Sequence, residues 1–129
     1  MKGVRNIFVV DDDNTQAMML QDYLSKYSTI TVHIYNSGED CLAHMDLEPE
    51  IIFLDLNMPL MNGFEFLILL KTEVKLSGIP VIIFSTSDNP SDKKRARDLG
   101  ALRFITKTAD IQLLKRDLIQ IFNSELLPT

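Results

Sequence analysis

Residues 51–59 read Ile51-Ile52-Phe53-Leu54-Asp55-Leu56-Asn57-Met58-Pro59. Four apolar residues in a row, with no polar phase, suit a strand buried on both faces, as in the interior of a parallel sheet. The run stops at a lone acid, Asp55, and Pro59 then forbids regular continuation. A carboxylate among Ile, Phe and Leu at the point where a buried strand ends is a poor choice for stability alone.

Similar runs lie on either side: Ile7–Val10, Val81–Phe84 and the weaker Leu102–Ile105. A fifth segment, Ile30–Tyr35, alternates apolar and polar residues and suits an edge strand with one wetter face, with His33 on its polar phase. Between the runs lie helical spacings. These are Ala17, Leu20, Leu24 and Tyr27; Leu42 and Met45; Phe64, Leu67, Ile68 and Leu70; Ala96 and Leu99; and Ile111, Leu114, Leu118, Ile121 and Phe122. Asn36-Ser37-Gly38, Asn62-Gly63 and Pro90-Ser91-Asp92 stand at helix starts, and Gly100 where a helix C-terminus needs it. Strand and helix thus alternate five times. Such a pattern implies an α/β fold, a doubly wound five-stranded parallel sheet with helices on both faces. Ligands in these sheets sit beyond the carboxyl ends of the strands.

Four strands end in polar residues at that edge: Asp11-Asp12-Asp13, Asp55, Ser85-Thr86-Ser87 and Thr106-Lys107-Thr108. Crowded carboxylates repel one another, and burial adds a desolvation cost. A divalent cation relieves both. With oxygen ligands only, the set points to Mg²⁺ rather than zinc or copper. A carboxylate can act as a nucleophile and form an acyl phosphate, and a metal, a hydroxyl and an ammonium supply the charge stabilisation that phosphoryl transfer needs.

Composition narrows the field. The 129 residues suit one domain, and 46% hydrophobic with 24% charged residues excludes a disordered or collagen-like chain. A net charge of -5 lacks the basic excess of a duplex-binding protein. One cysteine, Cys41, excludes a disulfide framework and a cysteine-rich zinc site, and reads as a small buried hydrophobe. No apolar run has the length of a membrane span, and the first run is too short for a signal peptide. A cytoplasmic protein is expected. His33 and His44 read as surface residues, Asn62-Gly63 as a turn, and Lys93, Lys94, Arg95 and Arg97 as a solvated helix face.

In combination, FVVDDD (8–13), YNSGEDCL (35–42), IIFLDLNMPLMNGFEFL (51–67), IPVIIFSTS (79–87) and GALRFITK (100–107) resemble the receiver domain of two-component response regulators, of the stand-alone, chemotaxis-like kind. The resemblance runs from about Asn6 to Phe122. It implies a flavodoxin-like (βα)5 three-layer sandwich with strand order 2-1-3-4-5. It also implies one receiver domain over residues 1–129, with a core of about 6–124 and a short tail at 125–129, and leaves no room for a DNA-binding output domain.

It further implies a phosphorylation-activated switch rather than a metabolic enzyme. The chain would catalyse only its own phosphorylation and, with it, its own dephosphorylation. Asp55 would take a phosphoryl group from the phosphohistidine of a sensor histidine kinase or phosphotransfer protein. Mg²⁺, with Mn²⁺ as a substitute, would be held by Asp11, Asp12, Asp55 and the Asn57 backbone carbonyl. Ser85 would bond a phosphoryl oxygen and Lys107 would pair with its charge. Phe104 would turn inward as Ser85 moves, although Phe lacks the hydroxyl a Tyr would offer. Asn57 and Ser87 would modulate water attack. A downstream protein target would read the signal by contact or onward phosphotransfer.

Two features depart from the usual pattern or leave it open. Thr108 stands where the family carries Pro after the lysine. A cis bond before a non-proline costs about 2.5–4 kcal/mol, so a trans Lys107–Thr108 bond is expected. The triple aspartate leaves the register open. Asp11 and Asp12 are favoured as ligands, with Asp13 or Asn14 to cap the first helix. Other readings fit less well. A phosphohydrolase similar to the haloacid dehalogenases needs its nucleophile after the first strand and an acid where Asn57 stands. A flavodoxin-like mononucleotide binder needs a Gly- and hydroxyl-rich loop where the three aspartates lie. A degenerate adaptor would not need the complete set.

Overall fold

A computed structural model describes residues 6–26, 30–107 and 110–121. Five strands form one parallel sheet in the order β2-β1-β3-β4-β5. They are β1 (Asn6–Val10), β2 (Thr31–Tyr35), β3 (Ile51–Leu54), β4 (Val81–Ser85) and β5 (Arg103–Thr106). The helices are α1 (Asn14–Leu24), α2 (Gly38–Leu42), α3 (Gly63–Thr72), α4 (Pro90–Asp98) and α5 (Ile111–Ile121).

Because successive side chains of a strand point to opposite faces, each apolar run feeds two cores. Ile7, Val9, Ile51, Phe53, Ile82 and Phe84 pack with Leu20 and Leu24 of α1 and with Leu114 and Leu118 of α5. Phe8, Val10, Ile52, Leu54, Val81 and Ile83 pack with Cys41, with Phe66, Leu67 and Leu70 of α3, and with Ala96 of α4. β1, β3 and β4 are therefore buried almost throughout, as their unbroken hydrophobicity anticipates.

The helix ends follow local chemistry. Asp13 caps α1, accepting from the amides of Thr15 and Gln16. Asn62 and Glu65 form a reciprocal capping box at α3. Asn89 caps α4, with Pro90 as its first residue. Gly100 follows α4 with φ +105, a left-handed conformation that glycine adopts without strain.

Several boundaries differ from expectation. β5 lies one residue later than its apolar run, and Leu102 is left exposed. α2 ends at Leu42, and Met45 falls in a separate 3-10 turn, Met45–Leu47, which closes with Glu48 in the left-handed region. In α3 the buried stripe takes Phe66 in place of Ile68, which is 40% exposed, since Phe66 faces the sheet. Leu99 is the C-cap residue of α4 rather than part of it. His33 is less exposed than its place on the polar phase of β2 suggests. It is half-buried, edge-on to Phe8 with ring centroids 5.6 Å apart. Tyr27, Thr108, Phe122 and residues 125–129 lie outside the described residues, so the Lys107–Thr108 bond and the tail do too.

Candidate functional site

The pairing of the sheet carries the backbone past the strand ends and fixes the first two acids. The Asp11 amide donates to Tyr35 O at 2.9 Å, and the Asp55 amide donates to Val10 O at 2.9 Å. Both residues therefore extend the ladders on either side of β1. Asn36 steadies the turn, donating from Nδ2 to Asp11 O at 3.1 Å. Asp13 leaves the group to cap α1, and its amide donates to Asp11 Oδ1 at 2.9 Å.

The result is a cluster of three carboxylates, Asp11, Asp12 and Asp55, with one oxygen of each within 4.8 Å of the others. Asp11 and Asp55 are buried and Asp12 is exposed. Lys107 enters from the end of β5. Its Nζ lies 2.8 Å from Asp11 Oδ2 and 3.8 Å from Asp55 Oδ1. The first contact is a buried ion pair, and no second donor reaches Asp11 Oδ2 among the described residues. The lysine stem passes Phe84, with Nζ 5.5 Å from the ring centroid.

Burial and the Asp11 charge push the Asp55 carboxyl up to about 6, and Asp12 adds to the rise. The Lys107 ammonium and the backbone N–H of Asn57 act against it. One ammonium thus does not balance three acids. Three carboxylates within reach of one another, with a single ammonium among them, make an oxygen-only set with surplus negative charge that fits a hard divalent cation.

Ser85 ends β4 fully buried. Its carbonyl accepts from the Lys107 amide at 2.7 Å, which locks the hydroxyl-bearing and ammonium-bearing residues into one ladder. Asn57 is exposed on the loop after Asp55. Ser87 and Phe104 make a second set of contacts around the start of α4. Ser87 Oγ donates to Asp92 Oδ2 at 2.6 Å, and Phe104 lies half-buried with Lys93 Nζ 5.9 Å from its ring centroid. Thr86 is exposed.

Two residues escaped the sequence reading. Gly63 carries more than a turn. A Cβ there would stand 2.3 Å from Asp55 O and 2.6 Å from Leu56 Cα, so α3 approaches the Asp55 backbone as closely as it does only because the side chain is absent. The Gly63 amide donates to Leu56 O at 2.9 Å, closing the loop that carries Asn57. Asp92 was visible only as an acid in a helix's first turn.

The model of the response regulator receiver domain matches residues 7–119 of the chain. Protein PilH of Pseudomonas aeruginosa is 32% identical over 108 residues, which cover 84% of this chain and 89% of that protein. Among solved structures, the phosphorylated cyanobacterial phytochrome response regulator RcpA superposes with a TM-score of 0.82 at 30% identity, over 93% of this chain and 94% of that one. The Mn²⁺-bound form of response regulator Rcp1 gives 0.82 at 25% identity, over 97% and 96%.

Proposed function

The chain belongs to the response regulator receiver family of two-component signalling, and from that premise we propose that Asp55 is its phosphoacceptor, working with Mg²⁺ in the cytoplasm. The observation that carries the reading is the burial of Asp55 beside Asp11 and Asp12, with the Lys107 ammonium 3.8 Å away.

With a carboxyl group titrating at about 6, Asp55 is mostly ionised at neutral pH and can act as nucleophile. Its Oδ attacks the phosphorus of a kinase phosphohistidine. The P–O bond forms as the P–N bond breaks, and the imidazole nitrogen keeps the electron pair. Asp11, Asp12, Asp55 and the Asn57 carbonyl would hold Mg²⁺, with Mn²⁺ as a substitute. Bound there, the metal would neutralise the incoming phosphoryl oxygens. Lys107 trades its contact with Asp11 for the phosphoryl charge, and the Ser85 hydroxyl donates to a phosphoryl oxygen.

Reorientation of the Ser85 hydroxyl toward the phosphoryl group is passed to Phe104 along the β4–β5 ladder, in which the Ser85 backbone stays paired with Thr106. Phe104 borders a groove of about 210 Å³, lined also by Lys93, Ala96, Arg97 and Arg103. Its basic rim fits an acidic surface on a downstream protein. The signal passes by that contact or by onward transfer of the phosphoryl group.

The test is to incubate the chain with Mg²⁺ and a small phosphoryl donor such as acetyl phosphate or phosphoramidate, then to weigh it intact. A phosphoryl adduct is expected that is lost in Asp55→Asn and absent with chelator. An adduct that survives Asp55→Asn, or one that maps to His33 or His44, overturns the reading.

A further inference from the structure

Ser87 stands two residues beyond Ser85, and its amide donates to Ser85 Oγ at 3.3 Å, which puts it at the rim of the proposed phosphoryl site. Every polar group of Ser87 is engaged. Its carbonyl accepts from Thr106 Oγ1 at 3.3 Å, and its Oγ accepts from the Asn89 amide at 3.3 Å. The single hydroxyl proton goes to Asp92 Oδ2 at 2.6 Å, the short distance of a hydrogen bond to a carboxylate. Asp92 is the third residue of α4, where negative charge is favoured by the helix N-terminus. Its Cα is fixed in the first turn of the helix that Asn89 caps.

From this geometry we infer that Asp92 is a positioning residue that withholds the Ser87 hydroxyl from water and so prolongs the phosphorylated state. The inference rests on Asp55 being the phosphoacceptor. The acyl phosphate is lost when water attacks phosphorus. The new P–O bond forms, the bond from phosphorus to the Asp55 oxygen breaks, the carboxylate keeps the electron pair, and both water protons leave with the phosphate as dihydrogen phosphate. Attack is faster when a neighbouring polar group holds the water in line with phosphorus. A hydroxyl whose one proton is committed to Asp92 and whose oxygen already accepts from Asn89 is poorly available for that task.

The experiment loads the full chain with acetyl phosphate and Mg²⁺, removes the donor on a desalting column, and follows decay of the adduct by intact mass. Asp92→Ala is expected to decay several-fold faster than the natural chain. Asp92→Asn keeps an acceptor oxygen and is expected to decay close to the natural rate. Ser87→Ala combined with Asp92→Ala is expected to decay at the rate of Ser87→Ala alone, whatever that rate is. That cancellation separates action through Ser87 from a general loosening of α4, which thermal melts of the same variants report. Asp92→Ser, whose hydroxyl is too short to reach, replaces Asp92→Ala if the latter does not fold. Decay of Asp92→Ala at the natural rate, or decay of the double variant as fast as that of Asp92→Ala, overturns the inference and leaves the phosphoacceptor assignment intact. Failure of the natural chain to form any adduct overturns the assignment, and this inference with it.

Discussion

The Nζ of Lys107 lies 2.8 Å from Oδ2 of Asp11, with the two side chains 4% and 1% exposed. It is a buried ion pair inside a surplus of acid. Breaking such a pair by removing one partner strands the other charge out of water, which costs more than the pair itself contributes.

Lys107→Met keeps the stem against Phe84 and removes the ammonium. In the presence of a chelator the variant should lose roughly 3 kcal/mol of stability, because Asp11, Asp12 and Asp55 then repel with no cation among them. Magnesium should return part of that loss. Urea unfolding with and without Mg²⁺ reads both effects, and equal midpoints for the variant under the two conditions would count against a cation site.

The raised Asp55 carboxyl makes a pH prediction for the metal-free chain. Its folded value of about 6 lies above the ordinary 3.8, so between those values the folded state holds the proton more tightly than the unfolded state does. Stability contributed by this group therefore falls as pH rises from about 4 to about 6 and is level above. Asp55→Asn lacks that slope. At neutral pH with chelator it should exceed the natural chain in stability by on the order of 2–3 kcal/mol. The check is the difference between the two unfolding free energies across pH 4 to 8, in which carboxylates remote from the site cancel and the remaining slope belongs to Asp55 together with the neighbours it is coupled to. A difference that does not vary with pH would contradict the assignment of the shift to Asp55.

Gly63→Ala should be harmful although Ala is the better helix former. The added Cβ would meet backbone atoms of Asp55 and Leu56, which cannot rotate away. A loss of about 2 kcal/mol or more is expected, more than the ~1 kcal/mol that helix propensity would return. The displaced loop should also weaken binding of Mg²⁺ or Mn²⁺, measurable by calorimetry on the folded variant.

Leu60 is the reverse case. It holds φ +68 and is 90% exposed, so it carries left-handed strain with almost no packing to offset it. Leu60→Asn should raise stability by roughly 0.5–1 kcal/mol, because Asn tolerates that region, and Leu60→Val should lower it. Chemical denaturation of the pair gives the sign directly. A stabilised Val variant would show that the loop relaxes instead of bearing the strain.

Much of the fold was legible because burial on both faces leaves a direct trace. Ile51–Leu54 and Val81–Phe84 have no polar phase, and neither strand has a solvent-facing side. The acid cluster was legible for the opposite reason, since Asp11 and Asp55 interrupt apolar chain where solvation alone would not put a carboxylate. Helix faces were harder. Phe66 and Ile68 are both apolar and two residues apart, so which of them meets the sheet depends on how α3 is rotated, and that is set by Gly63 sitting on the Asp55 carbonyl. The partial cover of His33 was hidden for a related reason, because it comes from Phe8 on a neighbouring strand. The Ser87–Asp92 bond was invisible, since it joins a loop hydroxyl to a first-turn acid and both residue types are ordinary in those places.

The Lys107 amide bonded to Ser85 O at 2.7 Å divides the pocket into two halves of unequal permanence. Ser85 and Lys107 hang from the weave of the sheet, so their spacing varies only as far as the sheet itself opens. Asp12 and Asn57 ride on solvent-facing turns that can open alone. Amide protons at the first pair should exchange with deuterium on the timescale of global unfolding, and those at the second far sooner. One side of the pocket is a fixed gauge and the other an adjustable jaw.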